Sequence, residues 1–200
     1  MRPALALEKM KSKLEPGKVY RRSCFTEMSS NLDRNLAALV RDGNLKRISK
    51  GLYLVPKQTT FGEALPEQQS LLTNFLNDDH FVVFSLNEFN ALGLGTTQLY
   101  NETVVFNRKR VGEFTLGGRT YYFHRWREAP KKLSLEFLVV QLLNRLNSLA
   151  EDRNTVLKNL KKKLASYNTR KLSYNADHYG TVSTQKLLKE MLEELKESSN

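Results

Sequence analysis

The chain contains a single cysteine, Cys24, which excludes an intrachain disulfide and any cysteine-based metal cluster. Cys24 stands where a small buried hydrophobe belongs, so a packing role is expected of it. No apolar run approaches the roughly 18 residues of a membrane span. The opening Met1-Arg-Pro-Ala-Leu-Ala-Leu-Glu-Lys9 meets charge too early for a secretory signal, so no membrane partner and a cytoplasmic location are expected. Catalytic patterns are also lacking. His80, His124 and His178 have no companions at metal-ligand spacing, and Gly93-Leu-Gly95 is a lone GxG without the third glycine of a dinucleotide site. There is no GxxxxGK[ST], HExxH or GxSxG. Asp78-Asp79 reads as a turn before a strand. No enzyme activity, cofactor or metal is expected.

Positive charge is what the chain has in excess, with a formal net charge of +11. It is concentrated at the two ends. Residues 1–60 hold thirteen Lys and Arg against five Asp and Glu, residues 61–130 six against eight, and residues 131–200 thirteen against eight. Such a field draws phosphate and makes nucleic-acid binding steeply salt-dependent.

The densest basic stretch also carries the clearest pattern. Ser23 to Met28 reads as a short helix, Ser29-Ser30 as a polar turn, and Asn31 to Arg41 as a second helix ended by Asp42-Gly43. Ser23 is placed to cap the first helix and Ser30 or Asn31 the second. Gly43 suits a left-handed C-cap. On a helical wheel Leu32, Leu36, Leu39 and Val40 form one stripe, the spacing of a core-facing helix. The opposite side carries Arg34, Ala38 and Arg41, with Asn31 and Asn35 on its flank. Arg and Asn are the side chains that pair bidentately with guanine and adenine. Leu45 to Pro56 then reads as a basic hairpin, with Lys50-Gly51 as its turn and Lys46 and Arg47 beside it. The succession is that of a winged helix-turn-helix, a module that lays one helix in the major groove of duplex DNA and touches the backbone with its wing. The plainer reading is a solvated basic face on a winged helix that serves protein contacts.

The rest of the chain reads as α+β. Ala4 to Leu14 is helical by pattern, with Leu5, Met10 and Leu14 available to pack beneath the winged helix, and Val19–Arg21 reads as a short strand. The polar stretch from Lys57 to Pro66 reads as a linker. Leu71–Leu76 belongs to a helix, Phe81–Phe84 is a short apolar run, and Leu86–Leu92 is a helix stopped by the glycines that follow it. Thr103–Asn107 reads as a strand, and Glu113–Leu116 with Arg119–Trp126 as a hairpin around Gly117-Gly118. Helices are expected over 133–149, 156–164 and 184–197. The expected fold is therefore an N-terminal winged helix-turn-helix over 1–57, a linker over 58–66, and an α+β domain over 67–200 with a small sheet and a helical end. The lysine-rich stretch Arg153–Lys163 reads as a solvated helix face, a second phosphate-tracking surface, or a surface for an acidic partner.

Two motifs together carry a family resemblance. Leu32-Asp-Arg-Asn-Leu-Ala-Ala-Leu-Val-Arg-Asp-Gly43 with Leu45-Lys-Arg-Ile-Ser-Lys-Gly-Leu-Tyr53, followed by Asn90-Ala-Leu-Gly-Leu-Gly-Thr-Thr-Gln98 and the β-rich stretches after it, resembles the AbiEi-type antitoxins of abortive-infection toxin–antitoxin operons. The likeness spans about residues 10 to 150 and is less clear beyond, above all over 169–184. It implies a transcriptional autorepressor that binds repeats in its own promoter through the N-terminal domain. It also implies a C-terminal domain that counteracts a nucleotidyltransferase-like toxin. Carried onto this chain, the DNA contacts would come from Ser29, Ser30, Asn31, Arg34, Asn35 and Arg41, with Lys46, Arg47 and Lys50 on the wing. The alternative is a winged-helix adaptor between proteins that binds no DNA specifically.

Overall fold

The computed structural model describes residues 3–128, 130 and 132–197. Its elements mix helices and small sheets in an α+β arrangement that ends on a run of helices. They gather into two compact units, each built from two stretches of chain: residues 1–81 with 107–127, and residues 82–106 with 128–200. The units therefore do not divide at residues 58–66.

In the first unit, helix α1 (Pro3–Lys11) leads to strand β1 (Val19–Arg21), a 3-10 helix over Arg22–Met28, helix α2 (Leu32–Arg41), and strands β2 (Lys46–Ser49) and β3 (Leu52–Leu54). The strands form an antiparallel sheet in the order β1-β3-β2, which leaves β2 at an edge. The stripe on α2 does what its period requires: Leu32, Leu36 and Leu39 are buried with Met10, Phe25, Met28, Leu45, Tyr53 and Val55, and Val40 packs against them. From α1, Met10 is fully buried, and Leu14 beyond its end partly so, but Leu5 is 62 % exposed and Ala6 and Leu7 take its place. Cys24 is exposed, contrary to expectation, because the neighbouring Phe25 fills the core position. The expected caps also differ. The first helix carries no side-chain cap, and neither Ser30 nor Asn31 caps α2. Instead Ser29 Oγ accepts the Asn31 backbone N–H at 3.0 Å.

The expected linker contains a hairpin, strand β4 (Gln58–Thr59) against β5 (Gly62–Glu63), with Gln58 opposite Glu63 and Thr59 opposite Gly62. Helix α3 (Gln68–Leu76) follows, its N-terminus capped by the Glu67 carboxylate through the Gln69 and Ser70 N–H groups. The chain returns to this unit as the hairpin of β8 (Gly112–Leu116) and β9 (Arg119–Arg125), in the register expected for a Gly117-Gly118 turn. Gly117 has φ +55, and a Cβ there would lie 2.6 Å from Pro66 Cγ, so both backbone conformation and space demand glycine. Phe75 of α3 meets Phe114 and Phe123 at ring separations of 5.1 and 5.4 Å, with the Arg110 guanidinium 4.3 Å from its centroid.

The second unit pairs strand β6 (Phe81–Ser85, from Val82 onward) with β7 (Thr103–Asn107, to Phe106) and adds helices α4 (Leu135–Arg145), α5 (Arg153–Lys163), α6 (Thr169–Tyr179) and α7 (Val182–Glu197). Its core is aromatic: Phe84 stacks on Phe106, and Phe137 meets Phe84, Phe106 and Tyr179 edge-on. Helix α6 occupies the polar stretch where no pattern was read, burying Leu172, Ala176 and Tyr179 on one face. The Leu-Gly-Leu element ends the 3-10 helix over Leu86–Leu92, with Gly93 left-handed at φ +62. Two residues of the lysine-rich helix hold that element. Lys163 Nζ donates to the Leu92 carbonyl at 3.3 Å and Asn159 Nδ2 to the Leu94 carbonyl at 3.2 Å. The following loop is clamped by Glu151, whose carboxylate accepts from the Thr97 and Gln98 N–H groups and the Tyr100 hydroxyl.

Candidate nucleic-acid interface

The outer side of α2 is a ridge between two open grooves. One, of about 710 Å³, separates α2 from the β2–β3 hairpin; Leu36 and Tyr53 lie on its walls, with Arg41, Arg47 and Lys50 around them. The other, of about 550 Å³, lies toward α1 and is lined by Leu7, Asn31, Arg34, Asn35 and Arg41 among others. Arg41 borders both. Arg34 and Arg41 are exposed on α2, as are Lys46, Arg47 and Lys50 on the hairpin. The left-handed Gly43 (φ +75) and Gly51 (φ +71) set these ends, the first closing α2 and the second turning the hairpin. A bulge between Arg47 and Ser49 shifts the register just before that turn.

The basic residues differ in how committed they already are. Arg34, Arg47 and Lys50 have no ion-pair partner among the described residues. Arg41 pairs with the adjacent Asp42 at 3.2 Å, and Lys46 with Glu63 at 3.0 Å, both on the surface where such pairs hold weakly. Ser30 and Asn31 are exposed at the start of α2, where backbone N–H groups and the helix dipole favour an anion.

Asn35 departs from its expected place. The residue is only 8 % exposed, and Nδ2 donates to Ser29 Oγ at 2.9 Å. Ser29 thereby serves both the start and the second turn of α2, and the two residues form a clamp within the fold rather than a free reading edge. The wheel placed Asn35 at the margin of the outer face; its burial was decided by what packs beside α2.

One pair had no signal in the sequence. Arg22 grips Asp33 with both prongs of its guanidinium, Nε to Oδ1 at 2.7 Å and Nη2 to Oδ2 at 2.9 Å. Asp33 is the carboxylate on the outer face of α2. Arg22 holds it below the ordinary carboxylate range, first by this hydrogen bonding and then by its charge. The pair sets a positive charge directly against the Asp33 carboxylate on that face. The residues lie eleven positions apart in different elements, a spacing with no local periodicity to reveal it.

Among the described residues no helix is long and apolar enough to cross a membrane. No family model matches this sequence, and no curated protein matches it either. Among solved structures the chain is similar to the crystal structure of the RV2827C protein from Mycobacterium tuberculosis, with a TM-score of 0.57 at 14 % identity, over 95 % of this chain and 75 % of that one. At that identity the likeness is one of fold, and the fold it supports is α+β.

Proposed function

We propose that residues 1–57 are a winged helix-turn-helix that binds duplex DNA, with α2 as the recognition helix and the β2–β3 hairpin as the wing. The observation that carries this reading is the α2 ridge itself. It exposes Arg34 and Arg41 between two grooves, and the exposed cations Arg47 and Lys50 stand across one of them. A helix so placed suits base edges in the major groove, and flanking cations suit the phosphates on either side. Arg34 and Arg41 are the base-reading candidates, Ser30 and Asn31 the phosphate contacts at the helix start, and Arg47, Lys50 and Lys46 the backbone contacts of the wing. Ser29 and Asn35 hold α2 in shape.

The resemblance to AbiEi-type antitoxins extends the proposal. The chain acts as the autorepressor of a toxin–antitoxin operon, and the part beyond the winged helix opposes a nucleotidyltransferase-like toxin. The test of the DNA reading is a salt series on the full-length protein with the duplex upstream of its own gene, beside a scrambled duplex of equal length. A preference of about a hundredfold or more that survives physiological salt is expected, rising toward the roughly thousandfold at which typical specific over non-specific ratios begin. Equal and salt-fragile binding to both duplexes would leave an electrostatic surface only and favour the protein adaptor.

A further inference from the structure

The hairpin after the wing presents a fully exposed aromatic side chain. Phe61, in the two-residue turn between β4 and β5, is 100 % exposed. The turn is closed by its own hydrogen bonds: Thr59 Oγ1 donates to the Gly62 carbonyl at 2.7 Å, and the Phe61 N–H donates to Thr59 Oγ1 at 3.3 Å. The Ala64 N–H donates to the Lys57 carbonyl at 2.8 Å across the foot of the hairpin. None of these bonds uses the Phe61 ring, so the fold gives no reason for a large apolar side chain at this position.

The hairpin meets the edge strand of the wing through an ion pair. Glu63 on β5 pairs with Lys46 on β2, at 3.0 and 3.2 Å to its two oxygens, and β2 is the edge strand of the sheet. Residues 58–62 carry no charge, Lys57 stands at the foot, and the one carboxylate of the hairpin, Glu63, is already occupied by Lys46. The tip therefore offers an exposed aromatic ring on a hairpin whose one acid is already paired with Lys46 of the basic hairpin. That combination suits a polyanion with stacked apolar rings inside it. Paired strands are too broad for a minor groove about 6 Å wide, so the part that can enter is the Phe61 ring carried at the tip.

We propose that Phe61 is a wedge that enters the DNA minor groove beside the wing and unstacks a base step, as apolar side chains do in architectural proteins. This rests on the DNA-binding reading above and adds to it a contact outside α2 and the wing. An apolar insertion displaces no counterions, so it contributes affinity without contributing to the salt slope.

The test compares full-length wild type, Phe61→Ala and Phe61→Trp on the upstream duplex. It reads affinity, salt slope and the permanganate reactivity of unstacked thymines. Because the Phe61 ring is fully exposed, thermal unfolding of all three proteins should coincide. Phe61→Ala is expected to bind about tenfold or more weakly, in the range of a lost aromatic–base contact. It should keep an unchanged salt slope and lose the reactive thymines, while Phe61→Trp retains both binding and reactivity. Wild-type affinity and reactivity in Phe61→Ala, with specific binding intact, would overturn the wedge and leave the recognition helix standing. A wild type that does not distinguish upstream from scrambled duplex would overturn both.

Discussion

Replacing Ser29 with Ala should destabilise the protein more than replacing Asn35, and the two changes together should cost less than their sum. Ser29 Oγ accepts two hydrogen bonds, from the Asn31 backbone N–H and from Asn35 Nδ2. In Ser29→Ala the Asn31 N–H lies on an exposed residue, but Asn35, a residue only 8 % exposed, loses the acceptor of its amide. An orphaned buried donor costs about 1–3 kcal/mol, whereas loss of a neutral hydrogen bond with both partners removed costs less. Asn35→Ala removes the donor itself and adds a better helix former to α2, an offset of about 0.5 kcal/mol. We therefore expect about 2 kcal/mol for Ser29→Ala and about 0.5 kcal/mol for Asn35→Ala. The double variant should come out near 1.5 kcal/mol or below, a coupling of about 1 kcal/mol. Urea unfolding followed by far-ultraviolet circular dichroism measures all three. The Ser29→Ala midpoint should also drop by about 4–8 °C on heating, from about 2–4 °C per kcal/mol at this chain length. Additivity of the two changes within about 0.5 kcal/mol would refute the clamp. So would an Asn35→Ala variant of unchanged stability that had lost the distinction between duplexes, since Asn35 would then be a reader of bases.

Three further outcomes follow from the geometry. On the proposed DNA-binding reading, Arg47→Ala with Lys50→Ala should weaken binding to every duplex alike and lower the salt slope by about 2, one unit for each phosphate contact; a slope equal to that of wild type would remove the β2–β3 hairpin from the proposed contacts. Gly93→Ala should lower stability by about 1 kcal/mol or more through its left-handed φ of +62. The contact of the added Cβ with Lys163 Nζ is relieved by movement of that flexible end, and an unchanged melting temperature would contradict the argument. The Asp78 carboxyl is held below the ordinary carboxylate range, chiefly by the His80 N–H and then by Arg108 and Lys109. A depressed folded-state pKa gives stability that is complete above the ordinary range and is lost as pH falls through the lowered value. Asp78→Asn should thus be less stable than wild type at neutral pH and converge with it in strong acid; a gap independent of pH would exclude this linkage.

How much of the molecule could be read from the chain depended on the range of the interaction involved. The apolar stripe of α2, its glycine stop and the Gly117-Gly118 hairpin rest on contacts within a few residues, and the structure has them where the pattern put them. The β4–β5 hairpin left no pattern because strands of two residues cannot display a period of two. Helix α6 went unread because its polar residues hid the spacing of Leu172, Ala176 and Tyr179, which is helical once the Asn168 cap is seen. Cys24 and Phe25 are adjacent, and their hydrophobicity alone did not say which would face inward; the turn of the 3-10 helix did.

The candidate interface divides in the same way. Its basic composition, the helix that carries Arg34 and Arg41, and the hairpin that carries Arg47 and Lys50 were determined by the sequence, because charge and local periodicity belong to the chain itself. Tertiary structure alone decided which of those groups remain available. It drew Asn35 into a bond with Ser29, tied Lys46 to Glu63, covered Asp33 with Arg22, and left Phe61 bare. Each of those outcomes joins residues from different elements or depends on what packs beside one, and such meetings are set by how the elements pack, which no local pattern encodes.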